Sequence, residues 1–165
     1  MGNTPAAGVL AFRLARLSLL VGAGIHLLAY WGGPAWMAWL GAPPSIVAAR
    51  AAGGWSAPIG TLAIAAALAG LAVACLPPVS QRPRRAVLAA VAVLFVLRGL
   101  IVLPYWAGQR DWRTPLGHFV VRGDWFAAGS LAALAIGLLL AGGLIATRPR
   151  RLTSWRAGPS SRRAH

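Results

Sequence analysis

The sequence predicts an all-α integral membrane fold, a bundle of four transmembrane helices with a short interfacial helix in the first outer loop, and two observations carry that expectation. Four apolar runs, residues 10–31, 58–76, 86–106 and 125–147, each hold about the twenty residues that a helix needs to cross ~30 Å of hydrocarbon. Most of the charge lies between or after these runs, although the chain of 165 residues is 58% hydrophobic with a mean hydropathy of +0.68. A soluble domain would spread its charge over helix faces instead. Residues 1–147 are therefore read as one membrane domain. Residues 148–165, basic and containing Ser, Gly and Pro, are read as a disordered cytoplasmic tail.

Each element follows from local chemistry. The first run continues through Tyr30 without a small-x-small cleavage site followed by a polar segment, so it is an anchor and not a cleaved signal. In the connection "GGPAWMAWLGAPPSIVAARAAGG", Pro34 starts a short helix carrying Trp36, Met37, Trp39 and Leu40; "GAPP" breaks it before a second short turn from Ser45 to Ala52. So apolar a segment belongs in the membrane interface. Ser56 followed by Pro58 is a start signal for the second membrane helix, and "LPPVSQRPRR" ends that helix. Asp124 stands where the N-cap of the fourth helix belongs. Small residues recur every four positions at Gly129, Ala133, Gly137 and Ala141, and again at Ala66, Gly70 and Ala74. Such stripes let helices approach closely, either within the bundle or in a homo-oligomer.

Charge sets the orientation. All 16 basic residues are arginine, against two acids, for a net charge of +14. Arg13 and Arg16, then Arg82, Arg84 and Arg85, then Arg148, Arg150, Arg151, Arg156, Arg162 and Arg163 fall on one side of a four-helix topology. By the positive-inside rule both termini are cytoplasmic. Trp31, Trp36, Trp39, Trp55, Trp106, Trp112 and Trp125 fall at the opposite, outer side, as an interfacial aromatic belt does. The partners implied are membrane lipids, and not nucleic acid, since the basic tail adjoins a membrane span. Cys75 is the one cysteine, which excludes an internal disulfide and a paired-cysteine redox motif.

Arg98 interrupts the third run in "VAVLFVLRGLIVLP" and has three readings. It snorkels toward the outer headgroups beside Tyr105 and Trp106; it makes a structural contact with Asp111, Asp124 or the Leu100 carbonyl that Pro104 frees; or it binds an anionic headgroup, quinone oxygen or carboxylate. His26 stands at a similar depth in the first helix, so the two could line one cavity open to the outside. A hydrogen bond to a neighbouring helix is the plain alternative for His26, and a proton relay the functional one. Haem ligation would pair it with His118, without a ligand-spaced motif. Asp111, Arg113, His118 and Asp124 crowd the second outer connection, either as a hydrogen-bonded scaffold or as an acid–base pair. No metal signature, phosphate loop or nucleophile with an adjacent base is present, and no cofactor is expected beyond a quinone or haem. The candidate ligand-binding set is His26, Trp36, Arg98, Tyr105, Asp111, His118 and Asp124.

The strings "GIHLLAYWGGPAWMAWLGAP" and "LRGLIVLP" resemble a group of small four-helix bacterial inner-membrane proteins to which no activity is assigned. Those proteins have a histidine before a "GGP-x-W" element, a "GA" turn, and an Arg-Gly pair followed by Pro. An acidic residue often follows their "GA" turn, where this chain has Pro43 and Pro44. The resemblance implies a multi-pass bacterial inner-membrane protein and singles out His26, Pro34, Trp36 and Arg98. The functional expectation is a non-enzymatic accessory subunit or small lipid- or quinone-binding module with an outward-facing site. The alternative is a membrane enzyme or proton-coupled transporter using His26 and Arg98.

Overall fold

The computed structural model describes residues 4–77, 79, 81–109, 113–114, 117–118 and 124–148. The tail beyond Arg148 lies outside the described residues. Seven helices follow in order: α1 Thr4–Gly32, α2 Pro34–Trp39, α3 Pro44–Ala51, α4 Ser56–Ala74, α5 Arg82–Leu100, α6 Val102–Trp106 and α7 Asp124–Ala146. Four helical stretches, Ala6–Gly32, Ser56–Ala74, Arg82–Trp106 and Trp125–Ala146, are long and apolar enough to cross a membrane. Their lipid-type exposure fits a membrane-embedded chain: Leu10, Leu17, Leu28, Ile59, Leu62, Val93, Leu97 and Ile145 all point out of the bundle.

Helix α7 is the central element, packing on α1 along one side and on α5 along another; α4 packs on α1 and scarcely meets α5. Two glycines permit the α5–α7 approach. A Cβ at Gly99 would lie 2.5 Å from the Leu134 Cβ, and one at Gly137 would lie 2.8 Å from the Val96 backbone nitrogen. On the α1 side, the Phe12 ring lies over Gly143. The main core, with Phe12, Ala15, Leu19, Ala72, Leu88, Ala92, Leu140 and Leu144 buried, sits toward the end where α1 begins and α7 finishes, here the terminal end.

Arg84 and Arg85 tie that end together. The Arg84 guanidinium donates to carbonyls of the last turn of α4, Ala74 at 2.7 Å and Val73 at 3.1 Å, and to that of Leu76. Arg85 donates to the Leu144 carbonyl at 2.6 Å, to the Thr147 carbonyl and hydroxyl at 3.3 and 3.1 Å, and to the Val79 carbonyl at 3.2 Å. Carbonyls of a final helical turn have no intrahelical partner and carry the negative end of the helix dipole, so a cation there satisfies both.

At the opposite, loop end, α2 and α3 fold over the tips of α1 and α4. Met37 is buried with Ala29 and Ala57, and Tyr30, Leu40, Ile46 and Val47 pack around them. Arg50 sits 4.5 Å above the Tyr30 ring and donates from Nε to the Tyr30 carbonyl at 3.4 Å. Trp39 reaches the first turn of α7, its ring 4.4 Å from that of Trp125 at a tilt of 58°. The described tryptophans Trp31, Trp36, Trp39, Trp55, Trp106 and Trp125 are all exposed at this end.

The structure refines the element boundaries. The first helix begins at Thr4 and not near Leu10, because "TPAAGVLAF" places Pro5 in the first turn, where its missing N–H costs nothing, and then good helix formers. Ser56 is a helical residue without a side-chain cap, the N-cap position falling to Trp55. The third membrane segment breaks at Ile101, since Pro104 cannot donate back to Leu100. Among the described residues the strand structure is confined to a two-residue antiparallel pairing, Arg113–Thr114 (β1) with Gly117–His118 (β2). The small-residue stripes also divide: Gly137 is a close-contact glycine, whereas Ala66 and Gly70 are exposed, with open space beside Gly70.

Gly99→Ala is expected to destabilise the α5–α7 contact by about 1–3 kcal/mol through overpacking, and Gly70→Ala to stay within about 0.5 kcal/mol of wild type. Reversible unfolding in mixed detergent measures both, and equal stabilities would refute the close-contact role of Gly99.

Candidate functional site

Arg98 lies on the inward stripe of α5, between Phe95 and Val102 at helical spacing, and is half-buried. Its Nη1 donates to the Ser130 hydroxyl of α7 at 2.8 Å, and its guanidinium carbon stands 4.8 Å above the Phe126 ring. Ser130 is fully buried. The hydroxyl and the aromatic face together replace part of the hydration that a membrane helix denies the cation. Tyr105, buried on α6, brings its ring 5.3 Å from that of Phe126 and completes an aromatic wall on the loop side of the arginine.

The Arg98 side chain therefore meets α7 while running toward the loop end, from a backbone level near Ala135 to Ser130. Its hydrogen bond goes to a serine on the adjacent helix, not to the Leu100 carbonyl, and no ion pair holds it among the described residues. Its Nε and Nη2 have no acceptor among the described residues, and neither atom is fully buried.

His26 is unusual for its position. Along α1 the buried residues Gly8, Phe12, Ala15, Leu19, Ala23 and Ala29 recur at spacings that mark the bundle-facing stripe, and His26 falls in that same stripe. It is nevertheless exposed, and no hydrogen bond engages its ring among the described residues. The expected hydrogen bond to a neighbouring helix is not made among the described residues.

The helix registers fix the level of His26. Gly8 of α1 meets Thr147 and Phe12 meets Gly143, which carries His26 to the level of Gly129 and Ser130 on antiparallel α7. On α4, Gly22 meets Leu68, and Ala29 shares a cluster with Ala57, which brackets His26 opposite Gly60 to Ile64. Thr61 is a buried polar residue. His26, Thr61 and Ser130 stand at a common height beneath the α2–α3 cap, and the Arg98 guanidinium reaches that height from a backbone position level with Ala135.

The remaining candidates divide as follows. Trp36 packs on Gly32, its indole lying where a Cβ of that glycine would be, and stays exposed at the cap surface. Trp39 is the cap residue that reaches α7 instead. Asp111 lies outside the described residues, as do the side chains of His118 and Asp124; α7 does begin at Asp124. Ser130, Phe126 and Thr61 were not picked out from sequence. Ser130 carried a signal, being the one hydroxyl in the apolar run of α7. Phe126 carried none, since an aromatic near a membrane interface needs no special role.

No protein-family model matches the sequence, and no curated protein or solved structure matches it either.

A double-mutant cycle of Arg98→Ala and Ser130→Ala is expected to show a coupling energy of about 1 kcal/mol in the unfolding free energy. Additive effects would mean that the Arg98–Ser130 bond contributes nothing to the α5–α7 association.

Proposed function

We propose that this chain is a non-enzymatic integral membrane protein of the bacterial inner membrane, with both termini cytoplasmic, that binds a lipid or quinone at an outward-facing site between its long helices. The observation that carries the proposal is His26, exposed and unbonded on the core face of α1 at the height of the Arg98 guanidinium, whose Nε and Nη2 have no acceptor among the described residues. An amphiphile with an acceptor oxygen, a quinone carbonyl or a headgroup oxygen, suits two nitrogen donors set into apolar walls. Phe126 and Tyr105 supply flat aromatic surface on one side, and the α2–α3 cap with Trp39 covers the loop end. The arginines gathered toward the terminal end and the tryptophans at the loop end support the assigned orientation. The chain works as such a module by itself or as the accessory subunit of a larger membrane assembly.

Native mass spectrometry with an ultraviolet-visible spectrum, on protein extracted gently with its lipid, tests this. Wild type is expected to carry a bound lipid or quinone that Arg98→Ala and His26→Ala both lose while remaining folded. An empty wild type, or a ligand retained by both variants, would overturn the proposal. An exposed imidazole also favours the alternative of a titrating His26 in an enzyme or proton-coupled transporter. A pH-dependent uptake or activity abolished by His26→Ala would decide for that reading.

A further inference from the structure

A groove lies on the outside of the bundle, opening from the terminal end and running along α5 as far as Leu97, on a different face from the Arg98–Ser130 contact. It has a volume of about 540 Å³ and runs between α5 and α7 on their outward surface, with Ala86, Ala89, Val93, Leu97 and Ile145 along its walls. These residues are exposed, and the alanines leave the groove its depth. Arg85 and Arg148 stand together at its terminal end. Arg85 commits Nη1 and Nη2 to the α7 terminus and keeps its Nε and its charge; Arg148, just past the end of α7, is exposed.

We infer that this groove holds one acyl chain of an anionic phospholipid, with the phosphate against Arg85 and Arg148. Three features select that occupant. Both guanidiniums sit where α5 and α7 leave the apolar span, which is the depth of a lipid phosphate. From Arg85 to Leu97 the groove follows α5 for about 18 Å at 1.5 Å per residue, close to the ~15 Å of one hydrocarbon leaflet. Charge excludes the competitors. The chain's own tail carries Arg150, Arg151, Arg156, Arg162 and Arg163, of the same sign as the groove mouth. A second copy related by a two-fold axis along the membrane normal would bring the same two arginines against their equivalents.

Such a lipid would reinforce the terminal end, where Arg85 already holds α5 to α7. An anion at Arg85 offsets the concentration of positive charge there without disturbing the bonds to Leu144 and Thr147.

The test uses the full chain in detergent and native mass spectrometry with phosphatidylglycerol or phosphatidylcholine of identical acyl chains. Wild type is expected to retain phosphatidylglycerol about fivefold or more over phosphatidylcholine, and Arg148→Gln to lower that preference about fivefold. Ala89→Phe, which fills the groove without changing charge, is expected to abolish the preference. Ala90→Phe, exposed on the same helix outside the groove, is expected to leave it intact. Equal retention of the two lipids by wild type would overturn the inference, as would a preference that survives Ala89→Phe, which would assign it to scattered surface arginines. A wild-type dimer that Ala89→Phe dissociates would also overturn it, making a second copy the occupant. Loss of the groove lipid with the His26–Arg98 ligand retained would show that the two sites are separate.

Discussion

Two consecutive arginines at the start of α5 hold the final turns of two other helices, and the bundle depends on that clamp. Helices in a bilayer gain little from the hydrophobic effect when they associate, because lipid tails are as apolar as leucine. What remains is close packing and polar contact. Arg84 and Arg85 provide the polar part, taking carbonyls from α4 and α7 that the helices themselves leave without partners. Gly99 and Gly137 provide the packing part by letting the backbones of α5 and α7 approach. With α7 clamped to α5 on one side and packed through Phe12 on α1 on the other, α4 need meet α5 only at the connection that joins them.

That asymmetry goes with an imidazole, His26, left exposed on the core-facing stripe of α1 toward the loop end. The core residues concentrate at the terminal end, where Phe12, Leu19, Leu88, Leu140 and Leu144 are large enough to fill the space between helices. Toward the loop end the inward positions hold His26, Thr61 and Arg98 instead, residues that do not pack as hydrocarbon. Burying an arginine without partners is expensive, and the protein meets only part of that cost with Ser130 and Phe126. The unbonded guanidinium nitrogens and the exposed imidazole are what the proposed ligand site rests on.

The cap has a related role. Amphipathic helices as short as α2 and α3 are not stable alone, and each is fixed by a specific contact: Met37 in the α1–α4 seam, Arg50 on Tyr30, Trp39 on Trp125. The cap thus spans α1, α4 and α7, and its tryptophans lie where an interface holds them.

The sequence by itself determined the four membrane segments, the two short helices of the first loop and the separation of arginine from tryptophan, because hydrophobic length, proline placement and charge bias act locally along the chain. It also singled out Arg98 and His26, since an ionisable group in an apolar run is conspicuous wherever it points. Only the tertiary structure decided that Arg98 turns to Ser130 and Phe126, that Trp39 and not Trp36 reaches α7, and that Arg84 and Arg85 grip helix ends. Those outcomes depend on helix rotation and register. In segments so rich in alanine, glycine and leucine, the composition is nearly uniform around the helix. Rotation is then set by a few close contacts, such as Gly99 on Leu134 and Phe12 on Gly143, whose partners are far away in sequence.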